Sequence, residues 1–190
     1  MLKSYHIYNK TLNQLPKFNK LLINTINAHC YNVSQKDEVY RDALIKSDIL
    51  IPDGISMVWT VKWLTGQRIS KIAGADLFFY EMERLNLTEG KCFFLGSSDE
   101  TLNKIKERLK KDYPKVKVQT YSQPYKPAFS DSENEFMVQT INSFQPDDLM
   151  IGMTAPKQEK RAYQHFIQLH LERVCCIGAV FDLRANVMER

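Results

Sequence analysis

Residues 91–100 read KCFFLGSSDE, and this short stretch decides the fold class. Its apolar run is typical of a buried strand, and Gly96 ends that run with a residue suited to a tight turn. Ser98 and Asp99 are residue types that cap the N-terminus of a helix. The stretch therefore predicts a strand, a turn and a helix in immediate succession.

The same alternation of strand and helix continues on both sides of this stretch. Such alternation is typical of a parallel sheet covered by helices. We predict an α/β fold, a Rossmann-like and mostly parallel sheet with helices on both faces. No repeat or linker interrupts the pattern, so residues 1–190 are predicted to form a single domain. Further strands are predicted at 21–24, 48–52, 116–121, 148–153 and 174–180, and helices at 28–46, 55–64, 75–85, 101–112, 132–144 and 156–171.

Composition limits the classes of function. The chain is 44% apolar and 25% charged, the mix of a soluble globular protein. Its net charge of +4 permits a phosphate-bearing substrate and contact with an anionic membrane, but is too small to indicate nucleic-acid binding. The first ten residues lack the apolar core of a signal peptide, so a cytoplasmic location is expected. The cysteines and histidines lack metal-site spacing, so we expect no metal and no cofactor.

One edge of the predicted sheet is the expected ligand site. In sheets of this kind, ligands bind outside the carboxyl ends of the strands. The sequence therefore predicts one crevice formed by five loops. These loops contain Thr25 and Asn27, Asp53 and Gly54, residues 96–98, residues 154–158, and Phe181 with Asp182.

Asp53 lies in the sequence Ile51-Pro52-Asp53-Gly54, directly after a predicted strand. A carboxylate in that position could accept a proton from a sugar hydroxyl. A Pro-Asp-Gly turn without any chemistry is the alternative, and the local sequence alone favours it. The position at the ligand-binding edge favours the catalytic interpretation, and both remain open.

Two predicted helix N-termini supply candidates for binding an anion. Gly96 precedes one of them, where free backbone N–H groups could hold a phosphate, although Asp99 would oppose it. Lys157 and Gln158 begin the other and could reach a diphosphate or sugar hydroxyls. The alternative is an ordinary capped helix whose charged side chains are solvated. Asp182 could bind a sugar hydroxyl or cap a local turn.

The apolar segment 55–64 carries both tryptophans of the chain, Trp59 and Trp63. Their spacing of four residues places them on the same face of a helix. The segment is predicted to be a buried helix, so packing in the core or at an interface is favoured over stacking on a ligand.

Six short motifs occur in a characteristic order along the chain. They are NTINA at 24–28, IPDG at 51–54, IAGADL at 72–77, FLG at 94–96, TAPKQE at 154–159 and GAVFD at 178–182. This order resembles the WecG/TagA/CpsF family of bacterial glycosyltransferases, glycosyltransferase family 26. The resemblance covers about residues 21–186, and the PDG and APKQE elements at this separation are its most specific part.

The resemblance implies an activity and two substrates. Family members transfer a sugar from a UDP-sugar to a polyprenyl-diphosphate-linked saccharide, with inversion and without a metal ion. The sugar is expected to be of the N-acetylmannosamine type or a related hexose. The products are cell-surface polysaccharides such as teichoic acid, capsule and exopolysaccharide. The resemblance therefore also implies peripheral contact with the inner face of the cell membrane, and no nucleic-acid partner.

The resemblance also assigns expected roles to residues. The family's proposed base corresponds to Asp53, Thr25 lies near the sugar, and Asn27 stands beside it. Without a metal, cationic side chains and helix N-termini must stabilise the leaving diphosphate. Lys157, Gln158 and Arg190 are the candidates for that role. The residues expected to bind substrate are Gly54, Lys71, Gly96, Thr154, Lys157, Gln158, Glu159, Phe181, Asp182 and Arg190.

Three departures from the family pattern affect these expectations. Ser70-Lys71 stands where many members have Glu-Arg, and a lysine keeps the charge but loses the bidentate geometry of arginine. Ala185-Asn186 stands where Ala-Gly is usual. Longer relatives continue past the position of Arg190 with a basic and aromatic segment, so we expect this C-terminal appendage to be absent. Apolar surface left open by its absence would favour a homo-oligomer.

Two alternative functions compete with transfer. One is a non-catalytic UDP-sugar-binding domain, or an incomplete enzyme that needs a C-terminal segment or a partner. The other is an NAD-type oxidoreductase of Rossmann architecture. The absence of a GxGxxG motif followed by a suitably placed acidic residue argues against the oxidoreductase.

Overall fold

The stretch 91–100 folds as its residue types predict, since the Ser98 hydroxyl caps the following helix by accepting the Thr101 backbone N–H.

The computed structural model describes residues 4–17, 20–124 and 129–181. Seven α-helices and six strands lie within these residues. The strands are β1 Leu21–Ile26, β2 Ile49–Pro52, β3 Lys91–Leu95, β4 Lys117–Tyr121, β5 Asp148–Ile151 and β6 Arg173–Cys176. The helices are α1 Ala28–Ser34, α2 Glu38–Ile45, α3 Ile55–Thr65, α4 Gly74–Thr88, α5 Asp99–Asp112, α6 Asp131–Phe144 and α7 Lys157–His165.

The six strands form one sheet in the order β2-β1-β6-β5-β3-β4, and every neighbouring pair is parallel. The α/β prediction is therefore confirmed. Parallel strands need long crossover connections, and helices supply them here. Because all strands run the same way, their carboxyl ends lie along a single edge of the sheet.

Helices cover both faces of the sheet, because successive side chains of a strand point to opposite sides. On one face Phe94 packs against Phe78 of α4, in a cluster that also includes α5. On the other face Phe93 packs against Phe144, at the end of α6. Helix α7 adds Ala162 to that second layer, while α2 and α3 cover β1 and β2.

Most predicted elements agree with the structure to within three residues at each end, and three differ by more. The predicted helix 28–46 is two helices, because Asp37 accepts the Tyr40 backbone N–H and caps the start of α2. The predicted helix 156–171 ends at His165, where a short 3₁₀ turn follows. The predicted strand 174–180 ends at Cys176, since Gly178 adopts a left-handed turn with φ of 58°.

Helix α3 is buried on one side only, so the prediction of a buried helix is wrong. Met57 and Val61 pack inward against the cluster over β1 and β2. Trp59 and Trp63 keep 66% and 85% of their surface exposed. Packing of the tryptophans in the core is therefore excluded, and packing at an interface remains open.

Among the helices in the described ranges, none combines the length and the apolar character needed to cross a lipid bilayer.

Candidate functional site

The loops predicted to form a crevice lie along the carboxyl edge of the sheet. From one end to the other they follow β2, β1, β6, β5 and β3, and the loop after β4 lies beyond them. Asp53 and Gly54 are at one end, Asn27 is next to them, and residues 96–98 lie towards the far end. The edge therefore has two halves, one built on β2 and β1 and the other on the remaining four strands.

A cavity of about 560 Å³ opens above the second half of this edge. Its volume is in the range of small-molecule binding sites. Gly96, Thr154 and Lys157, three of the residues predicted to bind substrate, line it. Asp53, Thr25 and Asn27 are not part of its lining. The other lining residues are Ser97, Ser98, Asp99, Ser122, Gln123, Pro124, Phe129, Gly152, Met153, Gly178 and Ala179.

Two helix N-termini face the cavity and give it a partly positive character. Helix α5 begins at Asp99 and helix α7 begins at Lys157, and both of these residues line the cavity. Free backbone N–H groups and the helix dipole favour an anion at such positions. Lys157 adds a full positive charge, while the Asp99 carboxylate opposes an anion on the α5 side. An anion is therefore best placed nearer to α7.

Gly96 is required by its backbone conformation and by a close approach. Its φ of 103° lies in a region that residues with a side chain rarely adopt. A Cβ atom at this position would also lie 2.8 Å from the Gly152 carbonyl oxygen. Glycine thus lets the loops after β3 and β5 meet at the cavity floor.

Asp53 lies at the end of β2 with its backbone N–H donated to the Ile26 carbonyl at 2.9 Å. Its side chain is partly buried, and this desolvation raises the pKa of the carboxyl above its ordinary value. A hydrogen bond from the Gly74 backbone N–H at the start of α4, and the nearby Lys71 charge, lower the pKa less strongly. A carboxylate in this state is a stronger base than an exposed aspartate.

The other residues predicted around Asp53 lie close to it in the fold. Thr25 pairs with Ile51 in the sheet and is almost fully buried. Asn27 caps α1, with its side-chain oxygen accepting the Cys30 backbone N–H at 2.9 Å. Gly54, whose φ is 117°, would bring a Cβ atom within 3.9 Å of the Asn27 Cβ. The structure thus brings the three predicted catalytic residues together around the ends of β1 and β2.

Lys71 lies in the segment between α3 and α4 and lines a second cavity of about 460 Å³. Asp76, Tyr80 and the segment 9–14 line the same cavity. Because Lys71 also acts electrostatically on Asp53, this cavity adjoins the β2 end of the edge. Lys71 is therefore placed on the Asp53 side and not in the larger cavity.

Gln158 and Glu159 point into the protein, and the Gln158 side chain links two loops through hydrogen bonds. The Gln158 side-chain oxygen accepts the Gly178 N–H at 3.0 Å and the Met153 N–H at 3.4 Å. The Gln158 side-chain nitrogen donates to Glu159 at 2.8 Å. This arrangement ties the loop after β6 to the loop after β5, and direct contact of either side chain with substrate stays a prediction.

Glu159 is fully buried, and its Oε2 has no hydrogen-bond partner among the described residues. This desolvation raises the pKa of Glu159 to about 7, while the hydrogen bond from Gln158 lowers it less strongly. A buried carboxylate with one unpaired oxygen favours the protonated form.

Phe181 belongs to the core beneath the cavity. Its ring lies 5.5 Å from that of Phe94, and a Cβ atom placed on Gly152 would fall 2.3 Å from it. Phe181 thus supports the cavity floor from below. The remaining predicted residues, Asp182 and Arg190, lie outside the described residues.

The loop after β4 contributes residues that the sequence analysis did not select. Ser122, Gln123 and Phe129 line the cavity. Phe129 also stacks on the Arg161 guanidinium, with 3.9 Å between the ring centroid and the guanidinium carbon. Ligands bind outside the carboxyl ends of parallel strands, and β4 was predicted as such a strand. The same rule would therefore have identified the loop after β4.

Within residues 4–17, 20–124 and 129–181, no group of three or more His, Cys, Asp or Glu side chains is arranged to hold a metal ion.

Comparison with known proteins identifies relatives over most of the chain. A protein of Bacillus subtilis strain 168, named N-acetylglucosaminyldiphosphoundecaprenol N-acetyl-beta-D-mannosaminyltransferase, is 26% identical over 171 residues. The match covers 89% of this chain and 64% of that relative. A Staphylococcus aureus NCTC 8325 protein of the same name is 24% identical over 172 residues, covering 90% of this chain and 66% of the relative. The chain thus spans just under two-thirds of the length of these relatives.

A comparison with protein families also finds a match, and the matched region includes the motifs along the sheet edge. The sequence profile of the Glycosyl transferase WecG/TagA/CpsF family matches residues 3–190, nearly the entire chain. This match covers both halves of the edge, including Asp53 and the loops around the cavity. The chain therefore belongs to the Glycosyl transferase WecG/TagA/CpsF family.

Proposed function

We propose that this chain is a hexosyltransferase that moves a sugar from a UDP-sugar to a polyprenyl-diphosphate-linked saccharide. The names of the two relatives specify an N-acetylmannosaminyl group and an N-acetylglucosaminyl-diphosphoundecaprenol acceptor. A sugar of the N-acetylmannosamine type is therefore the proposed donor group. The observation that carries the proposal is Asp53, a partly buried carboxyl with a raised pKa at the carboxyl edge of the sheet.

In the proposed reaction Asp53 acts as the general base. It removes the proton from the acceptor hydroxyl, whose oxygen attacks the anomeric carbon of the donor. The bond from that carbon to the UDP oxygen breaks, UDP leaves with the bonding electrons, and the proton stays on Asp53. Attack from the face opposite UDP inverts the anomeric carbon. This stereochemistry agrees with the β-linked product in the relatives' names if the donor is α-linked.

The large cavity is the proposed donor site. Lys157 and the N-terminus of α7 are placed to stabilise the negative charge that develops on the leaving diphosphate. We propose that this stabilisation is sufficient without a metal ion. Thr25 and Asn27, beside Asp53 at the ends of β1 and β2, are the proposed contacts to the reacting sugar.

The proposal is tested by comparing the parent chain with its Asp53→Asn variant. A panel of UDP-sugars is incubated with a short-chain prenyl-diphosphate-N-acetylglucosamine acceptor, with and without a chelator. Asparagine keeps the shape but cannot accept the proton, so we expect the rate to fall roughly 10²- to 10⁴-fold. Binding of UDP should be unchanged, and the chelator should have no effect on the parent.

Asp42→Asn is the matched control, because Asp42 of α2 is a half-exposed aspartate that pairs with Lys46, the residue after the helix. It should transfer sugar at the parent rate. The raised pKa of Asp53 also predicts that the acid limb of the kcat/KM profile lies above the range of an ordinary aspartate. If Asp53→Asn keeps most of the transfer activity, Asp53 is not the base. If the parent chain binds UDP but transfers no sugar, the chain is an incomplete enzyme.

A further inference from the structure

Helix α3 has two apolar faces, and residues 4–17, 20–124 and 129–181 cover only one of them. Met57 and Val61 are 3% and 4% exposed and contact the core. Ile55, Trp59 and Trp63 recur every four residues on the opposite face and remain 53%, 66% and 85% exposed. This spacing aligns their side chains in one stripe. We call these three residues the α3 face.

The segment around the α3 face carries positive charge only. Between Gly54 and Ala75 the sequence contains Lys62, Arg68 and Lys71 and no aspartate or glutamate. All three basic residues are exposed. Along the sequence, the apolar stripe is therefore accompanied by exposed cations within α3 and directly after it, in a stretch without acidic residues.

This combination has the chemistry of a surface that lies on an anionic lipid bilayer. Tryptophan rings are amphipathic and are enriched at the boundary between lipid headgroups and acyl chains. Lysine and arginine close to such a surface are attracted to anionic headgroups. Interfacial helices typically combine these two features.

A second copy of the chain fits the α3 face less well. In a twofold-symmetric dimer the same patch meets itself, so each cation would approach its own copy or a neighbouring cation. Because this segment contains no acidic residue, such an interface would bring like charges together without compensation from within the segment. An anionic bilayer, by contrast, is complementary to both the charge and the apolar stripe.

The α3 face lies close in sequence to Asp53, so contact of this face with a membrane would also place Asp53 near the membrane. Helix α3 begins at Ile55, two residues after Asp53, at the carboxyl edge of the sheet. We propose that the α3 face docks on the surface of an anionic bilayer and holds the Asp53 end of the sheet edge against it. The benefit for catalysis rests on the proposed function, in which the acceptor is attached to a membrane lipid.

The chain offers a direct optical test, because Trp59 and Trp63 are its two tryptophans. Vesicles containing phosphatidylglycerol should shift the tryptophan emission to shorter wavelength, and brominated acyl chains should quench it. Vesicles of phosphatidylcholine alone should produce a much smaller effect, and added salt should weaken the response. No shift with either kind of vesicle would overturn the proposal, as would a shift that depends only on protein concentration.

Two double variants distinguish the contribution of the tryptophans to bilayer binding from that of exposed apolar residues in general. Vesicle co-sedimentation of Trp59→Ala/Trp63→Ala should show at least about a tenfold loss of binding to phosphatidylglycerol vesicles. The matched control is Leu87→Ala/Ile167→Ala, which removes two apolar residues that are 82% and 90% exposed elsewhere. That control should bind like the parent, and equal losses in both variants would contradict a role for the α3 face.

A second pair of variants isolates the charges. Lys62→Gln/Arg68→Gln should lower binding to phosphatidylglycerol vesicles about tenfold or more. Lys36→Gln/Lys111→Gln makes the same change in net charge at exposed positions elsewhere and should have little effect. If both pairs lose binding equally, net charge alone is responsible and the proposed docking surface is wrong.

Transfer assays distinguish failure of this proposal from failure of the proposed function. Trp59→Ala/Trp63→Ala should keep the parent rate with a water-soluble short-chain acceptor but lose rate with an acceptor embedded in vesicles. Vesicle binding can be measured even if the chain transfers no sugar. Bilayer binding without transfer would then reject only the function, and transfer without bilayer binding would reject only the docking surface.

Discussion

Opposing electrostatic influences act on the carboxyl of Asp53, and their balance determines its reactivity. Partial burial disfavours the charged form, while the N-terminus of α4 and Lys71 favour it. Burial is the largest of these effects, so the pKa of Asp53 is raised overall. A base that holds a proton more tightly than an exposed aspartate suits removal of a proton from a hydroxyl.

Glu159 makes the stability of the fold depend on pH. In the folded chain its pKa is raised to about 7 by burial, whereas in the unfolded chain it returns to its ordinary value near 4.5. Between these pH values the folded state binds more protons, so stability falls as pH rises. The contribution lost across this window is about 3 kcal/mol. The free energy of unfolding in urea, measured at several pH values between 4.5 and 8, reports this change.

The Glu159→Gln variant isolates this effect because glutamine does not titrate. The difference in unfolding free energy, variant minus parent, should grow in favour of the variant by about 3 kcal/mol as pH rises from 4.5 to 7. Glu38→Gln, at a side chain that is 88% exposed, should show a difference nearly independent of pH. A difference for Glu159→Gln that is equally flat would contradict the raised pKa.

The sequence predicts which residues lie at the carboxyl edge of the sheet, but it does not predict the direction in which each side chain points. Asp53 and Lys157 were predicted from their positions after parallel strands, and both lie at the expected edge. Gln158 is the residue after Lys157, but the start of α7 turns it inward to the Gly178 N–H. A difference of one residue on a helix changes the side-chain direction by about 100°. Only the packing of α7 reveals which of the two faces the cavity.

A buried network of charges joins three elements at the opposite edge of the sheet. Arg84 of α4 contacts Glu81 at 2.7 Å and Asp148 of β5 at 2.5 Å. Arg173 of β6 donates to the other oxygen of Glu81. The side chains of Glu81 and Asp148 are fully buried. Each acid therefore depends on its arginine partners for compensation, and α4 is fixed to the strands through them.

Removing one cation from this network should destabilise the fold strongly. Arg173→Met keeps most of the apolar stem but takes away a partner of the buried Glu81. We expect a loss of about 3 kcal/mol or more in the free energy of unfolding, measured with urea, because a buried charge loses compensation. Arg41→Met is the control, since the Arg41–Glu38 pair lies at the surface, with side chains 38% and 88% exposed, and should contribute within about 1 kcal/mol. Equal effects of the two variants would show that the network does not stabilise the chain.

Elements were easier to predict from sequence where burial is symmetric. Strands such as β3 are buried on both faces and appear as continuous apolar runs, so they were identified readily. Helix α3 also appears as a continuous apolar run, but its exposed face has no cover in the described part of the chain. Apolar periodicity reports which residues avoid water, and it does not distinguish a protein core from another apolar environment.

The class of the whole fold followed from local patterns, but the order of its strands did not. Alternating strands and helices predict a parallel sheet whose ends share one edge. The pairing of β1 with β6 depends on contacts between residues about 150 positions apart, such as Leu22 with Val174. No local pattern encodes those contacts. For that reason the separation of Asp53 from the large cavity became visible only in the structure.

The two halves of the edge should affect binding and transfer separately. Lys157 lines the cavity at the start of α7 and is proposed to contact the diphosphate, so Lys157→Ala should weaken UDP binding about tenfold or more. Asp53→Asn, at the β2 end, should leave the dissociation constant of UDP within about twofold while transfer is lost. Titration calorimetry with UDP and a transfer assay on the same preparations measure both quantities.

Lys111→Ala provides the control for loss of a positive charge. Lys111 lies in the last turn of α5, a helix that begins at the cavity, so it is at the end remote from the sheet edge. UDP binding by this variant should equal that of the parent, because an exposed charge at that distance is screened by salt. If Lys157→Ala and Lys111→Ala weaken binding equally, only the overall charge attracts UDP. If Asp53→Asn instead abolishes UDP binding, the nucleotide lies over β2, and the assignment of the cavity as the donor site must be reversed.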